Sequence, residues 1–143
     1  MIIRVYEDKD ADICDKLLEE LIKDEKNYDK YMDEIVKVNN YFRNVIKNDN
    51  NILLAYKDNN EIKAYLYLKY KDNGYLIDGL YVKKEYRRQG IATLLIKEAL
   101  YILKRKKAKY IDTNVFYNNK IAYKLYKSFG FDIFRVSLRK NFE

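Results

Sequence analysis

The chain has 143 residues, enough for one domain with a two- or three-layer core, and carries a formal charge of +7 with no histidine, no proline and one cysteine. Histidine-based catalysis, disulfides and cysteine–histidine zinc sites are thereby excluded, and a lone reduced thiol suits the cytoplasm. No run of eighteen apolar residues is present, and Met1 leads straight into a strand pattern, so neither a membrane span nor a signal peptide is expected.

The charge is unevenly spread. Residues 1–33 hold eleven acids against six bases, whereas residues 83–109 hold ten bases against two acids. A basic cluster at residues 104–109 raises a nucleic-acid reading, although the abundance of Lys, Asn, Ile and Tyr also fits an AT-rich coding bias.

In chain order, residues 2–6 read as a strand. Asp8 or Asp10 then caps a helix whose apolar stripe is Ile13, Leu17, Leu18, Leu21 and Ile22. Cys14 falls on that side and reads as a small buried hydrophobe rather than a nucleophile. A less regular helical stretch covers about residues 28–46, with Tyr31, Ile35, Val38, Phe42, Val45 and Ile46 as apolar positions and a break near Asn39-Asn40. Residues 52–57 form a strand, and Asp58-Asn59-Asn60 a turn. Ile62, Ala64, Leu66, Leu68 and Tyr70 alternate with Lys63, Tyr65, Tyr67 and Lys69, the period of a half-exposed strand. Asn73-Gly74 signals a hairpin into a strand at residues 75–82.

That last strand breaks into a charged turn, Arg87-Arg88-Gln89-Gly90, and continues as an amphipathic helix through Ile91, Leu95, Ala99 and Ile102. Strand, basic glycine turn and helix build an anion site, because the first amides of a helix lack partners and its dipole is positive there. Gly90 leaves room for a phosphate against the amides of about Arg88 to Thr93. Neither a Walker loop nor a three-glycine dinucleotide fingerprint is present. A further strand at residues 110–116 should lie parallel to its predecessor. Asn119 caps a helix with Ala122, Leu125, Tyr126 and Phe129 on one face. Gly130 ends that helix, and residues 131–140 read as a final strand.

Two motifs carry a resemblance. Arg87-x-x-Gly90-x-Ala92 is similar to the coenzyme A pyrophosphate loop of the GNAT superfamily of N-acetyltransferases, with Val82 five residues before the arginine as is usual there. Asn119-x-x-Ala122-x-x-Leu125-Tyr126-x-x-x-Gly130-Phe131 resembles the second pattern of that superfamily, in the expected order. The resemblance covers essentially the whole of residues 1–143 as one domain. It implies an α/β (α+β) fold: a mixed, mostly antiparallel sheet splayed in a V, with helices on both faces.

The implied cosubstrate is acetyl-CoA, with no metal, and the implied partner is an amine acceptor bound by a monomer or homodimer. The implied coenzyme contacts are Leu80, Tyr81 and Val82 along the split strand, Arg87, Arg88, Gln89, Gly90, Ile91, Ala92 and Thr93 at the loop, and Asn119 and Tyr126. Tyr126 holds the position of the proton donor to the departing sulfur. Asp78 stands where polyamine acetyltransferases of the superfamily carry a Glu base, one methylene shorter. Gly79 suits a bulge or close packing. Asn119 serves as contact, helix cap or both, and Lys120 and Lys124 fit either the 3′-phosphate or a solvated face. The acidic, tyrosine-rich stretch Asp24, Glu25, Tyr28, Asp29, Tyr31 and Asp33 would attract a cationic amine. The alternatives are a coenzyme-binding module without catalysis and a basic nucleic-acid-binding domain.

Overall fold

The computed structural model describes residues 1–32 and 37–143. Elements follow the order β1 (Ile2–Arg4), α1 (Asp8–Glu25), α2 (Tyr41–Val45), β2 (Ile52–Asp58), β3 (Glu61–Lys71), β4 (Gly74–Val82), a 3₁₀ turn (Lys84–Tyr86), α3 (Ile91–Arg105), β5 (Ile111–Thr113) and α4 (Lys120–Ser128). The sheet order is β1-β2-β3-β4-β5, antiparallel except for the parallel β4–β5 pair.

Side-chain alternation along the central strands feeds two cores. Ile52, Leu54, Ala64, Leu66 and Leu68 pack with Ile91, Leu95, Ile96, Ala99, Leu103 and Tyr126 beneath α3 and α4. Leu53, Ala55, Tyr65 and Tyr67 pack with Ala11, Cys14, Leu17, Phe42 and Val45 beneath α1 and α2. Each large aliphatic side chain so buried contributes about 1.5–3 kcal/mol. Among the described residues no helix is long and apolar enough to cross a membrane.

Several local expectations are corrected. Glu7, not Asp8 or Asp10, occupies the N-cap of α1; the two aspartates lie in its first turn, where the dipole favours them. Ile13 is exposed, and the buried side of α1 runs through Ala11, Cys14 and Leu17. The stretch expected as a helix over 28–46 is helical only at Tyr41–Val45 among its described residues, beginning after Asn40 in a left-handed conformation. Ile35 and Asp33 lie outside the described residues.

β3 is covered on both faces: Phe42 meets Tyr65 and Tyr67 edge-on at 5.3 and 5.6 Å, so the tyrosine face is core. The hairpin turns on Asp72 and Asn73, because Gly74 already pairs with Lys71. Gly74 is instead required where the ring of Tyr110 lies against it. Residues 131–140 form no strand and join no sheet ladder among the described residues. Alternation marks a face, but a strand also needs a neighbouring backbone; here the segment is held by a side chain, with Arg139 gripping Asp29 beyond the end of α1 at 2.7 and 3.0 Å.

Candidate active site

β4 and β5 pair only from Tyr75 to Ile77 and from Ile111 to Thr113; beyond them the strands part. From Asp78 to Val82, β4 therefore presents an edge unpaired among the described residues. The amide of Lys83 donates to the Lys63 carbonyl on β3 (2.9 Å), so by alternation the Tyr81 amide faces β3 while those of Leu80 and Val82 face the split. Of the three residues expected along this strand, Leu80 and Val82 thus turn their amides to the split, and Tyr81 turns its amide to β3.

β4 leads from the split through the 3₁₀ turn into the start of α3. Tyr86 donates to Glu61 (2.8 Å) and Lys83 to the same carboxylate (3.3 Å), tying the 3₁₀ turn to the start of β3. Arg88 (φ +65°) and Gly90 (φ +80°) both adopt left-handed backbone, curling the amides of the turn inward. Among the described residues, none of the amides from Arg88 to Thr93 donates to a protein acceptor. A Cβ on Gly90 would meet open space, so glycine is needed there for its φ. Ile91 is buried and anchors the helix, whereas Arg88, Gln89 and Gly90 are exposed. Arg87 is turned aside: its guanidinium donates to the Val82 carbonyl (2.9 Å) and to Asp24 (2.9 Å), and lies over the Tyr81 ring.

Across the split, the Asn119 carboxamide accepts from the Ala122 amide (3.2 Å) and caps α4. Gly130 (φ +90°) closes the helix, with the Phe131 amide bonded to the Tyr126 carbonyl. Tyr126 is 7% exposed, packed edge-on against Phe131 at 5.3 Å. Burial pushes its phenol pKa up, and a hydrogen bond from Thr113 at the end of β5 partly offsets this. Lys120 lies over the Tyr117 ring at 4.2 Å.

Opposite, the register steps from Tyr67↔Gly79 to Leu68↔Ile77, making Asp78 the extra residue of a bulge. Unbroken alternation along β4 would set Asp78 on the side of Leu80 and Val82; the bulge turns it instead towards α1 and α2. There its charge acts on Tyr41, Tyr65, Tyr67 and Glu25. Burial first, and the Asp78 charge second, raise the pKa of Glu25. Asp15, from α1, accepts the Phe42 amide (2.9 Å) and so caps α2, holding Tyr41 in place. The Tyr65 hydroxyl beneath Gly79 is buried without a hydrogen-bond partner among the described residues. Burial also pushes Cys14 up to about 12, which keeps it an inert thiol.

Among the acids expected to draw a cation, Asp24 is paired with Arg87 and Lys84, and Asp29 with Arg139. Glu25 and Asp78 have no ion-pair partner among the described residues. Tyr28 stacks on Phe116 (5.9 Å). The sequence pointed to neither Tyr41 nor Thr113, since both reach the site through tertiary packing, not through a local motif.

No curated protein matches this sequence. Solved structures do match its fold. A tetramutant of the BH1408 protein from Bacillus halodurans is 17% identical, with a TM-score of 0.85 over 99% of each chain. A transcriptional regulator from Bacillus halodurans C-125 is 18% identical, with a TM-score of 0.75 over 99% of each chain. The aminoglycoside N-acetyltransferase AAC(6′)-Iy, in complex with CoA, is 13% identical, with a TM-score of 0.72 over 99% of this chain and 98% of its own. The profile of the Acetyltransferase (GNAT) family spans residues 14–131, from the middle of α1 to the end of the second motif. With a split sheet, an amide-lined turn and both motifs in place, the chain belongs to the GNAT acetyltransferase family.

Proposed function

We propose that the protein moves an acetyl group from acetyl-CoA to a primary amine by direct attack within a ternary complex. What supports this reading is the open edge of β4 together with the free amides from Arg88 to Thr93 and the Tyr126 phenol on α4 near the end of β5. A relative of the same fold is seen with CoA, which supports the choice of cosubstrate.

The turn amides hold the pyrophosphate, with Gln89, Ile91 and Ala92 contributing through backbone, and Arg87 and Arg88 adding positive charge. Lys120 and Lys124 are within the same face of α4 for the 3′-phosphate, and Asn119 orients the pantetheine arm. Leu80 and Val82 receive that arm as an added strand and offer an amide to the thioester carbonyl. The amine nitrogen bonds to the carbonyl carbon, the carbon–sulfur bond breaks, and the thiolate takes the Tyr126 proton. The proton lost by the amine passes to Asp78, directly or through a water. The acceptor is cationic, because Glu25 and Asp78 lie close enough to act on one another and neither has an ion-pair partner among the described residues. The acceptor classes that fit are small amines, polyamines and peptide amines, and the cytoplasm supplies both substrates.

The test is thermal stabilisation by acetyl-CoA followed by amine-dependent release of free thiol across a panel of cationic and neutral amines. Stabilisation without turnover of any amine would favour a coenzyme-binding module. Binding to nucleic acid with steep salt dependence and no response to acetyl-CoA would favour the basic-domain reading.

A further inference from the structure

A cavity of about 250 Å³ opens between α1, the end of β4 and the 3₁₀ turn, lined by Glu20, Lys23, Asp24, Tyr81, Lys84 and Glu85. Tyr81 is only 5% exposed, yet its phenol has no hydrogen-bond partner among the described residues. A buried hydroxyl left unpaired costs stability, which a ligand bonded to it would restore. The charges that act on this phenol are Asp24, Glu20 and Glu85, opposed by Arg87 alone. Lys23 also lines the cavity but is not among them. Asp24 is neutralised by Arg87 and Lys84, whereas Glu20 and Glu85 have no ion-pair partner among the described residues. The cavity therefore suits a compact cation with hydrogens to donate, such as an ammonium group.

Its place relative to the acceptor follows from the two elements that carry both. Glu25 of α1 lies within reach of Asp78, and Glu20 and Asp24 within reach of Tyr81, so α1 runs antiparallel to β4 past the two positions. Three residues of strand from Asp78 to Tyr81 span about 10 Å. Five residues of helix from Glu25 back to Glu20 span about 7.5 Å. Two acidic stations thus stand about 7–10 Å apart along α1. We infer that the acceptor is a diamine with its two charges at that separation. One nitrogen meets Glu25 and Asp78 and is acetylated; the other stays an ammonium and donates to Glu20, Glu85 and the Tyr81 phenol. This rests on the acetyl-transfer reading and narrows it, because a monoamine leaves the phenol and both carboxylates without a partner.

Thiol release from acetyl-CoA compares 1,6-diaminohexane with hexylamine, which has the same chain and one charge fewer. The diamine is expected to show a kcat/KM about tenfold higher, the factor that one charge-assisted hydrogen bond supplies. The gain should lie in KM, because the distal contact is the same before and during the chemical step. Glu20 and Glu85 are both exposed, so the Glu20→Gln, Glu85→Gln double variant should fold as wild type does. In it the diamine should fall to the level of hexylamine, and hexylamine should react as before. Equal kcat/KM for the two amines, an advantage carried by kcat, or one that survives the double substitution would each overturn the inference and leave acetyl transfer standing. Release with neither amine would overturn it too, and release with no amine of the wider panel would take acetyl transfer with it.

Discussion

At the scale of single residues, the Tyr126 phenol is the group whose surroundings suit its proposed task most closely. Burial keeps it protonated at neutral pH, and the Thr113 hydroxyl steadies the phenolate that forms when the proton leaves. Replacing Tyr126 with Phe keeps the packing against Phe131 but removes the proton. The expected result is a fall in kcat on the order of 10²-fold with acetyl-CoA affinity unchanged, measured by thiol release and titration; an unaltered kcat would remove Tyr126 from the chemistry.

Tyr65 and Gly79 make a second pair that can be read by substitution. A Cβ at position 79 would lie 2.7 Å from the Tyr65 hydroxyl, which has no hydrogen-bond partner among the described residues. Gly79→Ala should therefore cost about 1–3 kcal/mol in chemical denaturation. Tyr65→Phe alone should be neutral or stabilising by about 1 kcal/mol, and should relieve much of the alanine penalty in the double variant. Strictly additive effects would show that the hydroxyl is not what excludes the Cβ.

Glu25 ties this region to pH. Its folded pKa lies above the ordinary 4.5, chiefly through burial and then through the Asp78 charge. The unfolded chain thus gives up the proton first. Glu25 leaves stability intact below its ordinary value and erodes it as pH rises through the raised one. Glu25→Gln should melt higher than wild type at neutral pH, with the gap closing near about pH 4. A gap of the same size at both pH values would rule out this titration.

At the scale of elements, the turn into α3 stores its function in backbone shape. Gly90 has no neighbour that a methyl group would strike, so Gly90→Ala acts only through the left-handed φ, at about 1–2 kcal/mol. The turn should then flatten and lose affinity for acetyl-CoA by a larger factor than it loses stability. Calorimetric titration beside a thermal melt separates the two, and unchanged affinity would argue against amide binding at this turn.

This turn and the capped start of α4 were legible in the sequence because both are local. Arg87-x-x-Gly90 and Asn119-x-x-Ala122 each fix backbone within one turn of helix. The strand periods of β2, β3 and β4 were equally plain. The bulge at Asp78 was not, since a single extra residue moves a side chain to the opposite face without altering composition. Nor was the cap of α2, which comes from Asp15, 27 residues earlier. The C-terminal segment shows the converse: its alternation is clear, but a period says nothing of which backbone will pair with it.

At the scale of the whole molecule, the sheet divides the labour. The α3 and α4 side brings a basic surface and two helix N-termini to the split, whereas the α1 and α2 side brings carboxylates and phenols. The basic residues from Lys104 to Lys107 close α3, where they complement the dipole, which gives the cluster a structural reason unconnected with nucleic acid. An anionic cosubstrate and a cationic acceptor would then approach from opposite faces and meet at the parted strands. The most direct measurement is release of free thiol from acetyl-CoA by the wild-type protein as cationic amines are added in turn. Amine-dependent release, with acetyl-CoA raising the melting temperature, is the predicted result. No stabilisation by acetyl-CoA, and no release with any amine, would contradict the account.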